Sequence, residues 1–133
     1  MGAGRQPEEA MISDVTDWSK IEPRTVIPGF VGRFVHSNTM TFALWEIAAG
    51  AVLPEHTHPH EQVALVQEGE FEMTVEGVTR RVLAGMVSVI PGNARHRGRA
   101  VTDCRILDVF YPVREDYRDG AGTTVLGDAA EKS

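Results

Sequence analysis

The chain has 133 residues, of which 42% are apolar and 24% are charged, and these values are ordinary for one globular domain. Its net charge of −6 argues against a nucleic-acid partner, because proteins that bind nucleic acids usually present a basic surface. No apolar run reaches the roughly 18 residues of a membrane-spanning helix, and the N-terminus lacks the apolar segment of a signal peptide. We therefore expect a cytoplasmic protein that binds neither nucleic acid nor membrane.

The predicted elements begin after a polar N-terminal arm. Residues 1–17 are rich in Gly, Pro and Glu, and we expect them to be flexible. Residues 119–133 are rich in Gly and Ala, and we expect a flexible tail there. The composition therefore predicts one folded domain over residues 18–118.

Short strands fill the region between the two tails. Apolar, β-branched and aromatic segments alternate there with Gly and Pro turns at an even spacing, a pattern typical of an all-β sandwich or barrel. The predicted strands cover residues 31–36, 40–48, 62–68, 70–76, 79–83, 86–91 and 104–111. No segment between residues 30 and 112 keeps a 3.6-residue apolar period, so we expect no long helix.

The single cysteine, Cys104, excludes an internal disulfide, which is consistent with a reducing compartment. It belongs to the apolar run "CRILDVFYP". We therefore predict a small buried side chain at this position rather than a nucleophile.

Three of the five histidines lie in the stretch "EHTHPHEQ", residues 55–62. Alternation along a strand would place His56 and His58 on one face, where two imidazoles can bind one metal ion. Gln62 opens the next strand and could turn its amide oxygen toward them. His96, which follows a Pro-Gly turn, is the distant histidine in a suitable context. The alternative is that these histidines are unrelated surface residues, but their pairing favours a metal site.

The remaining histidines and nearby arginines have weaker claims to a site. His60 follows a proline where the strand should bend, and we expect a loop or supporting role instead of ligation. His36 lies on another strand without a partner motif, and we expect a structural role. Arg95 and Arg97 should face away from the metal, and we expect them on the surface or at a subunit contact.

A second cluster lies in the stretch "LDVFYPVRED". Asp108 interrupts an apolar run, where a charged group costs stability unless it is paired or functional. Alternation places Asp108 and Phe110 on one face, and Arg114 follows at the rim after the strand ends. One interpretation is a salt bridge from Asp108 to Arg105 or Arg114. The other is an acid–base site in which carboxylate, ring and guanidinium face a metal.

Two spaced motifs resemble those of the cupin family. The first is "GAVLPEHTHPHEQVALVQEG" from Gly50 to Gly69, and the second is "GMVSVIPGNARH" from Gly85 to His96. The resemblance implies a single-domain, all-β, double-stranded β-helix, which is the cupin jelly-roll barrel. It also implies one divalent metal ion, either Zn, Ni, Fe, Mn or Co, bound by four residues: His56, His58, Gln62 and His96.

Two positions depart from the common cupin pattern. Asn93 replaces a glycine in the second motif, which a turn tolerates because Asn enters the left-handed region readily. Gln62 replaces the glutamate of many cupins. With three imidazoles and a neutral amide, the full charge of the ion would remain at the site, which favours Lewis-acid chemistry and an anionic substrate.

Within the cupins, the chain resembles the unsaturated-uronate-linearising (KdgF-like) enzymes of pectin and alginate breakdown. These enzymes place Asp, Phe and Arg near the metal in an order that Asp108, Phe110 and Arg114 match. The resemblance implies a non-redox ring opening and ketonisation of a 4,5-unsaturated monouronate, a small anionic sugar acid. In this hypothesis Asp108 moves the proton, Phe110 shapes the pocket, and Arg114 holds the carboxylate or orients Asp108.

Two other functions are compatible with the same residues: a cupin dioxygenase, and a cupin that binds a small molecule without turnover. Small cupins commonly pair, so we also expect a homodimer. Trp45, Tyr111, Val63 and Leu65 are the apolar residues that we predict to face outward and supply the contact.

Overall fold

The computed structural model describes residues 13–119, and these fold mainly into β-strands. The strands in chain order are β1 (Arg24–Ile27), β2 (Phe30–His36), β3 (Thr41–Ile47), β4 (Val52–His56), β5 (Glu61–Glu68), β6 (Glu70–Val75), β7 (Val78–Leu83), β8 (Val87–Ile90), β9 (His96–Ala100) and β10 (Cys104–Tyr111). A 3-10 helix (Trp18–Lys20) precedes β1, and one short helix, α1 (Glu115–Arg118), follows β10. The predicted all-β class is confirmed.

The predicted tails fall mostly beyond the described part of the chain. Of the arm predicted over residues 1–17, the structure describes 13–17, and these form neither helix nor strand. Of the tail predicted over residues 119–133, it describes only Asp119. Within residues 13–119, no helix is long and apolar enough to cross a membrane.

The strands form two antiparallel sheets that pack face to face. One sheet has six strands in the order β1-β2-β3-β10-β5-β8, and the other has four in the order β4-β9-β6-β7. From β3 onward the chain passes repeatedly from one sheet to the other, as in a jelly roll. The inward side chains of both sheets form one core, and the predicted double-stranded β-helix is confirmed.

Three strands, β1, β4 and β9, are absent from the sequence prediction. The sequence of β4 is VLPEH and that of β9 is HRGRA, so each contains a residue that usually disfavours strands. Both strands are nevertheless paired, and His56 lies opposite His96 in their ladder. Tertiary pairing therefore overrides the local propensity at the place where two candidate ligands meet.

Two glycines occupy positions that no larger residue could share. A Cβ atom at Gly98 would lie 2.3 Å from the Phe71 ring. The Phe71 ring can therefore pack against β9 only because residue 98 has no side chain. Gly69 has a φ of +90°, and a Cβ there would lie 2.1 Å from the Asp103 carbonyl oxygen. These contacts give a physical reason for Gly98 in the middle of a strand and for Gly69 at the end of the first motif.

Trp45 corrects one prediction. It was expected on the outside of the barrel, but it is only 4% exposed and packs against Phe30, Phe34 and Tyr117. Both faces of β3 carry apolar side chains, so alternation alone does not reveal which face is inward. The other predicted outward residues do face outward, and Tyr111 is 56% exposed.

Cys104 lies in the core, in agreement with the sequence analysis. Its thiol donates toward the backbone carbonyls of Glu70 and Thr102. Burial raises the pKa of this thiol, which disfavours the reactive thiolate form.

Candidate metal centre and pocket

Three histidines converge at one end of the barrel. His56 ends β4, His58 follows two residues later, and His96 opens β9. All three are buried, and their candidate ligand atoms lie within 4.8 Å of one another. His96 is nearly inaccessible, with 1% exposure.

The backbone orients each of these imidazole rings in the same way. The Nδ1 atoms of His56, His58 and His96 lie 2.9, 3.1 and 2.9 Å from the carbonyl oxygens of Pro54, His60 and Ala94, respectively. A carbonyl can only accept, so each Nδ1 carries the proton and each Nε2 keeps a free lone pair. Such backing is usual for metal-binding histidines.

A metal ion fits this donor set. The buried Nε2 of His96 has no hydrogen-bond partner among the described residues, which is costly unless something else occupies its lone pair. Gln62, at the start of β5, is also buried, and its Oε1 lies 3.2 Å from Nε2 of His58. The four predicted ligands thus lie together and form a neutral set of three nitrogens and one amide oxygen. These donor types do not distinguish between the first-row metals.

Asp108 lies beside this group on the inward face of β10. Its Oδ2 accepts a 2.9 Å hydrogen bond from Nε1 of Trp45, and its buried Oδ1 has no partner that meets hydrogen-bond geometry in the described chain. Burial raises the pKa of the Asp108 carboxyl to about 7, against opposing effects of Gln62, Trp45 and Arg114. One carboxyl oxygen is therefore fixed by Trp45, while the other remains available.

The salt-bridge interpretation of Asp108 is wrong for the described residues. Arg105 instead pairs with Glu46 at 2.7 Å and with Glu68 at 3.8 Å, on the outward face of the sheet. Arg114 pairs with Asp116 at 2.7 Å. Among residues 13–119, Asp108 is thus a buried carboxyl without a direct cationic partner, which is unusual unless it has a function.

Arg114 corrects a second prediction, because it is buried and not at the rim. It is 1% exposed, and its guanidinium carbon lies 4.7 Å from the ring centre of Phe110 and 4.1 Å from that of Tyr117. Its Nε and Nη2 donate to the two oxygens of Asp116 at 3.0 and 2.7 Å. Its backbone N–H donates to Thr41. Two rings and a bidentate carboxylate therefore hold this cation in one orientation.

A single pocket joins the two predicted clusters. Its lining includes most of the candidate site residues: Trp45, His56, His58, Gln62, Asp108, Phe110, Arg114 and Tyr117. Phe110 is 2% exposed, and its ring centre lies 5.7 Å from that of His58. Ligand-type histidines, a carboxyl, a guanidinium and aromatic walls thus share one concave site.

Trp45, Asp116 and Tyr117 belong to this site but were not predicted as parts of it. The sequence could have indicated Trp45 as a pocket residue only if the inward face of β3 had been assigned correctly. Tyr117 and Asp116 lie on α1, and their contact with Arg114 depends on how the chain folds back after β10. The spacing from Arg114 to Tyr117 is a helical i, i+3 spacing, but the run is too short to predict a helix.

The other histidines are outside the three-histidine group. His60 is half-buried in the bend between β4 and β5, and its ring centre lies 5.5 Å from that of His58. Nδ1 of His36 lies 2.9 Å from the hydroxyl oxygen of Thr41, which also contacts Arg114. Arg95, just before β9, and Arg97, on β9, are both exposed, whereas His96 between them is buried.

The histidine burial predicts a pH dependence for the metal-free protein. Burial lowers the pKa of His56 to about 4 and that of His58 to about 3, and it also lowers the pKa of His96. In the unfolded chain, histidine has a pKa of about 6.5. Between pH 6.5 and 4 the unfolded chain therefore binds more protons at these sites, so stability falls as the pH falls. The raised pKa of Asp108 has the opposite effect on stability, because the folded chain binds the proton at this carboxyl more readily than the unfolded chain. This is one group, however, and the histidines are three.

Chelator-treated protein should consequently melt at a lower temperature at pH 5 than at pH 7. The variant with both His56→Gln and His58→Gln should lose less of its melting temperature over the same interval, because two of the three groups are gone. A melting temperature that stays constant or rises on acidification of the wild type would contradict this account of the histidine cluster.

Comparison with known proteins places the fold and the motifs in a family. Residues 43–110, just over half of the chain, match the model of the cupin domain. The chain is 30% identical over 83 residues to the pectin degradation protein KdgF of Dickeya dadantii, a match that covers 61% of this chain and 76% of that protein.

Solved structures agree with this assignment. KdgF from a Halomonas species superposes with a TM-score of 0.75 at 28% identity, covering 80% of this chain and 99% of that one. An RmlC-like cupin from Shewanella frigidimarina superposes with the same TM-score of 0.75 at 26% identity, covering 80% and 96%. The chain is therefore a member of the cupin family, and within that family it is similar to the KdgF proteins.

Proposed function

We propose that this cupin converts 4,5-unsaturated monouronates into their linear keto forms, in a metal-dependent reaction without redox change. The observation that carries the proposal is the placement of Asp108. This buried carboxyl, which has no cationic partner among the described residues, shares one pocket with His56, His58 and Gln62 and with the guanidinium of Arg114. His96 completes the neutral donor set beside His56 and His58. The similarity to KdgF, a pectin degradation protein, supports the same substrate class.

The reaction needs a proton to leave one atom of the sugar and another to arrive elsewhere. Ring opening breaks the bond between C1 and the ring oxygen as the C1 hydroxyl loses its proton, which leaves an aldehyde at C1 and an enolate at the former ring oxygen. Ketonisation then places a proton on C4 as the enolate becomes a ketone. Product and substrate have the same atoms and the same oxidation level, so no external reductant or oxidant is consumed.

Each pocket residue has a role in this proposal. A divalent metal ion held by the four ligands would polarise a substrate oxygen as a Lewis acid. Asp108 accepts the hydroxyl proton and returns one to C4, and its Trp45 hydrogen bond orients it for both steps. Arg114 binds the substrate carboxylate with the N–H groups that Asp116 does not use. Phe110 excludes water and shapes the sugar site.

An absorbance assay tests the proposal. The C=C bond of an unsaturated uronate is conjugated to its carboxylate and absorbs in the near ultraviolet, whereas the linear keto product lacks this conjugation. Metal-loaded protein should accelerate the loss of absorbance without consuming oxygen. Oxygen consumption that parallels turnover would favour the dioxygenase alternative. No acceleration with either the pectin-derived or the alginate-derived monomer would favour a binding protein.

Trp45 provides a test of the orientation of Asp108. Trp45→Phe keeps an aromatic ring in the core but removes the N–H that donates to Oδ2 of Asp108. A hydrogen bond to a charged group contributes about 1.5–3 kcal/mol, so kcat should fall by roughly 10- to 100-fold, with KM nearly unchanged. Trp18→Phe is the matched control, since Trp18 lies in the 3-10 helix before β1. A kcat equal to that of the wild type would mean that Trp45 contributes only packing.

A further inference from the structure

Two of the groups that hold the guanidinium of Arg114 are its near neighbours in the chain. Arg114 is the residue just before α1, and Asp116 and Tyr117 belong to α1 itself. Their contacts with Arg114 therefore fix its side chain relative to α1, but they do not fix α1 relative to the barrel. The helix has only four residues, so its position depends on contacts with the strands.

Tyr117 joins the later part of α1 to the strands. Its ring packs against Phe34 and Trp45, with ring centres 4.7 and 6.1 Å apart. Its carbonyl oxygen accepts a 2.7 Å hydrogen bond from Nη2 of Arg24, at the start of β1. These contacts hold Tyr117 in place, but Arg114 lies one helical turn earlier and needs a contact of its own.

Thr41 provides the contact at the start of this segment. It is the first residue of β3, where it pairs with His36 on β2 and with Phe110 on β10. Its exposure is 0%, and its Oγ1 accepts a 2.8 Å hydrogen bond from the backbone N–H of Arg114. The side chain of Arg114 does not cap the helix, because it pairs with Asp116. Within residues 13–119, the backbone at the start of α1 is therefore held by the hydroxyl of Thr41.

His36 completes the hydrogen bonding of this hydroxyl. The Thr41 oxygen accepts from Arg114, and its own proton needs an acceptor because the group is buried. Nδ1 of His36 lies 2.9 Å from that oxygen and can accept the proton when the imidazole is neutral. Burial lowers the pKa of His36, which favours the neutral ring. A hydroxyl that both accepts and donates is fixed in orientation, so the contact with Arg114 is directional.

We propose that Thr41 is a positioning residue for Arg114, whose hydroxyl fixes the backbone before α1 and thereby the place of the guanidinium in the pocket. The role in substrate binding rests on the proposed function, in which Arg114 binds the substrate carboxylate. A hydroxyl with no exposure costs stability unless it is hydrogen-bonded, and this one bonds the backbone of a pocket residue. A small displacement of a binding group weakens recognition, so this bond affects affinity as well as stability.

Thr41→Val tests this role, because valine keeps the shape and the β-branch of threonine but cannot accept a hydrogen bond. Fewer molecules should then hold Arg114 in the binding position, so KM for the unsaturated monouronate should rise roughly 10-fold, with a smaller change in kcat. Thr41→Ser keeps the hydroxyl and should restore the wild-type KM. The matched control is Thr74→Val, since Thr74 is also buried but bonds the hydroxyl of Thr79 on the other sheet. This control should keep the wild-type KM.

Amide hydrogen exchange followed by NMR provides a second measurement that needs no sugar. The N–H of Arg114 should be protected in the wild type and in Thr41→Ser, and it should exchange roughly 10-fold faster in Thr41→Val, while the amides of β10 stay protected. Rapid exchange at Arg114 in the wild type would overturn the proposal. So would a Thr41→Val variant that melts at a lower temperature but keeps the wild-type KM, because the role would then be structural only. A wild type without turnover that shows the expected exchange pattern would refute the proposed function and support the positioning role of Thr41.

Discussion

Asp108→Asn is expected to lower kcat by about 10²–10⁴-fold, the usual contribution of a general acid–base group. The amide has nearly the same shape as the carboxyl, and its oxygen can still accept the hydrogen bond from Trp45. It cannot accept and return a proton. The loss should therefore appear in kcat, while the metal content and the melting temperature stay close to those of the wild type.

The control for this variant is Asp103→Asn. Asp103 is an exposed carboxylate in the turn before β10, and it accepts a hydrogen bond from the Ala49 backbone, remote from the pocket. The Asp103→Asn variant should retain wild-type turnover. If Asp108→Asn kept most of the activity with metal bound, proton transfer would have to be assigned to another group, and the central role given to Asp108 would be wrong.

His96→Ala is expected to abolish both metal binding and turnover. His96 is 1% exposed, and its Nε2 has no hydrogen-bond partner in the described chain. The lone pair of this nitrogen is therefore available to bind a metal ion. Metal analysis should give one ion per wild-type chain and a large loss in the variant. Activity should fall to the uncatalysed rate and should not return when metal is added.

Two other histidines serve as controls for this result. His36→Ala removes a histidine that contacts Thr41 on another strand. His60→Ala removes a histidine that lies beside His58 but does not belong to the three-histidine group. Both variants should keep the metal. Loss of metal in His60→Ala with retention in a Gln62→Ala variant would reassign the fourth ligand from Gln62 to His60.

Local sequence signals were sufficient for much of the site. The i, i+2 spacing of His56 and His58 and the turn before His96 predicted three side chains that the structure brings within 4.8 Å. Strand parity predicted that Asp108 and Phe110 share the inward face of β10. The inference for Asp108 and Phe110 succeeded because alternation is a property of a single strand and does not depend on the rest of the fold. The histidines are brought together differently, because His58 lies beyond the end of β4 and His96 lies on β9.

Features that depend on tertiary packing could not be predicted in the same way. Arg114 was expected at the rim, yet the chain after β10 folds back and encloses it between Phe110, Tyr117 and Asp116. Trp45 was assigned to the wrong face because both sides of β3 are apolar. A strand with apolar residues on both faces carries no sequence signal that tells which face points into the core.

The most direct test of the proposed function is a proton NMR time course of a 4,5-unsaturated monouronate with metal-loaded protein. The vinylic proton signal at C4 should disappear faster than in buffer, signals of a linear keto-uronate should replace it, and dissolved oxygen should stay constant. Chelated wild type and metal-loaded Asp108→Asn should both remain near the buffer rate. A vinylic signal that decays at the buffer rate with the metal-loaded wild type would contradict the proposal.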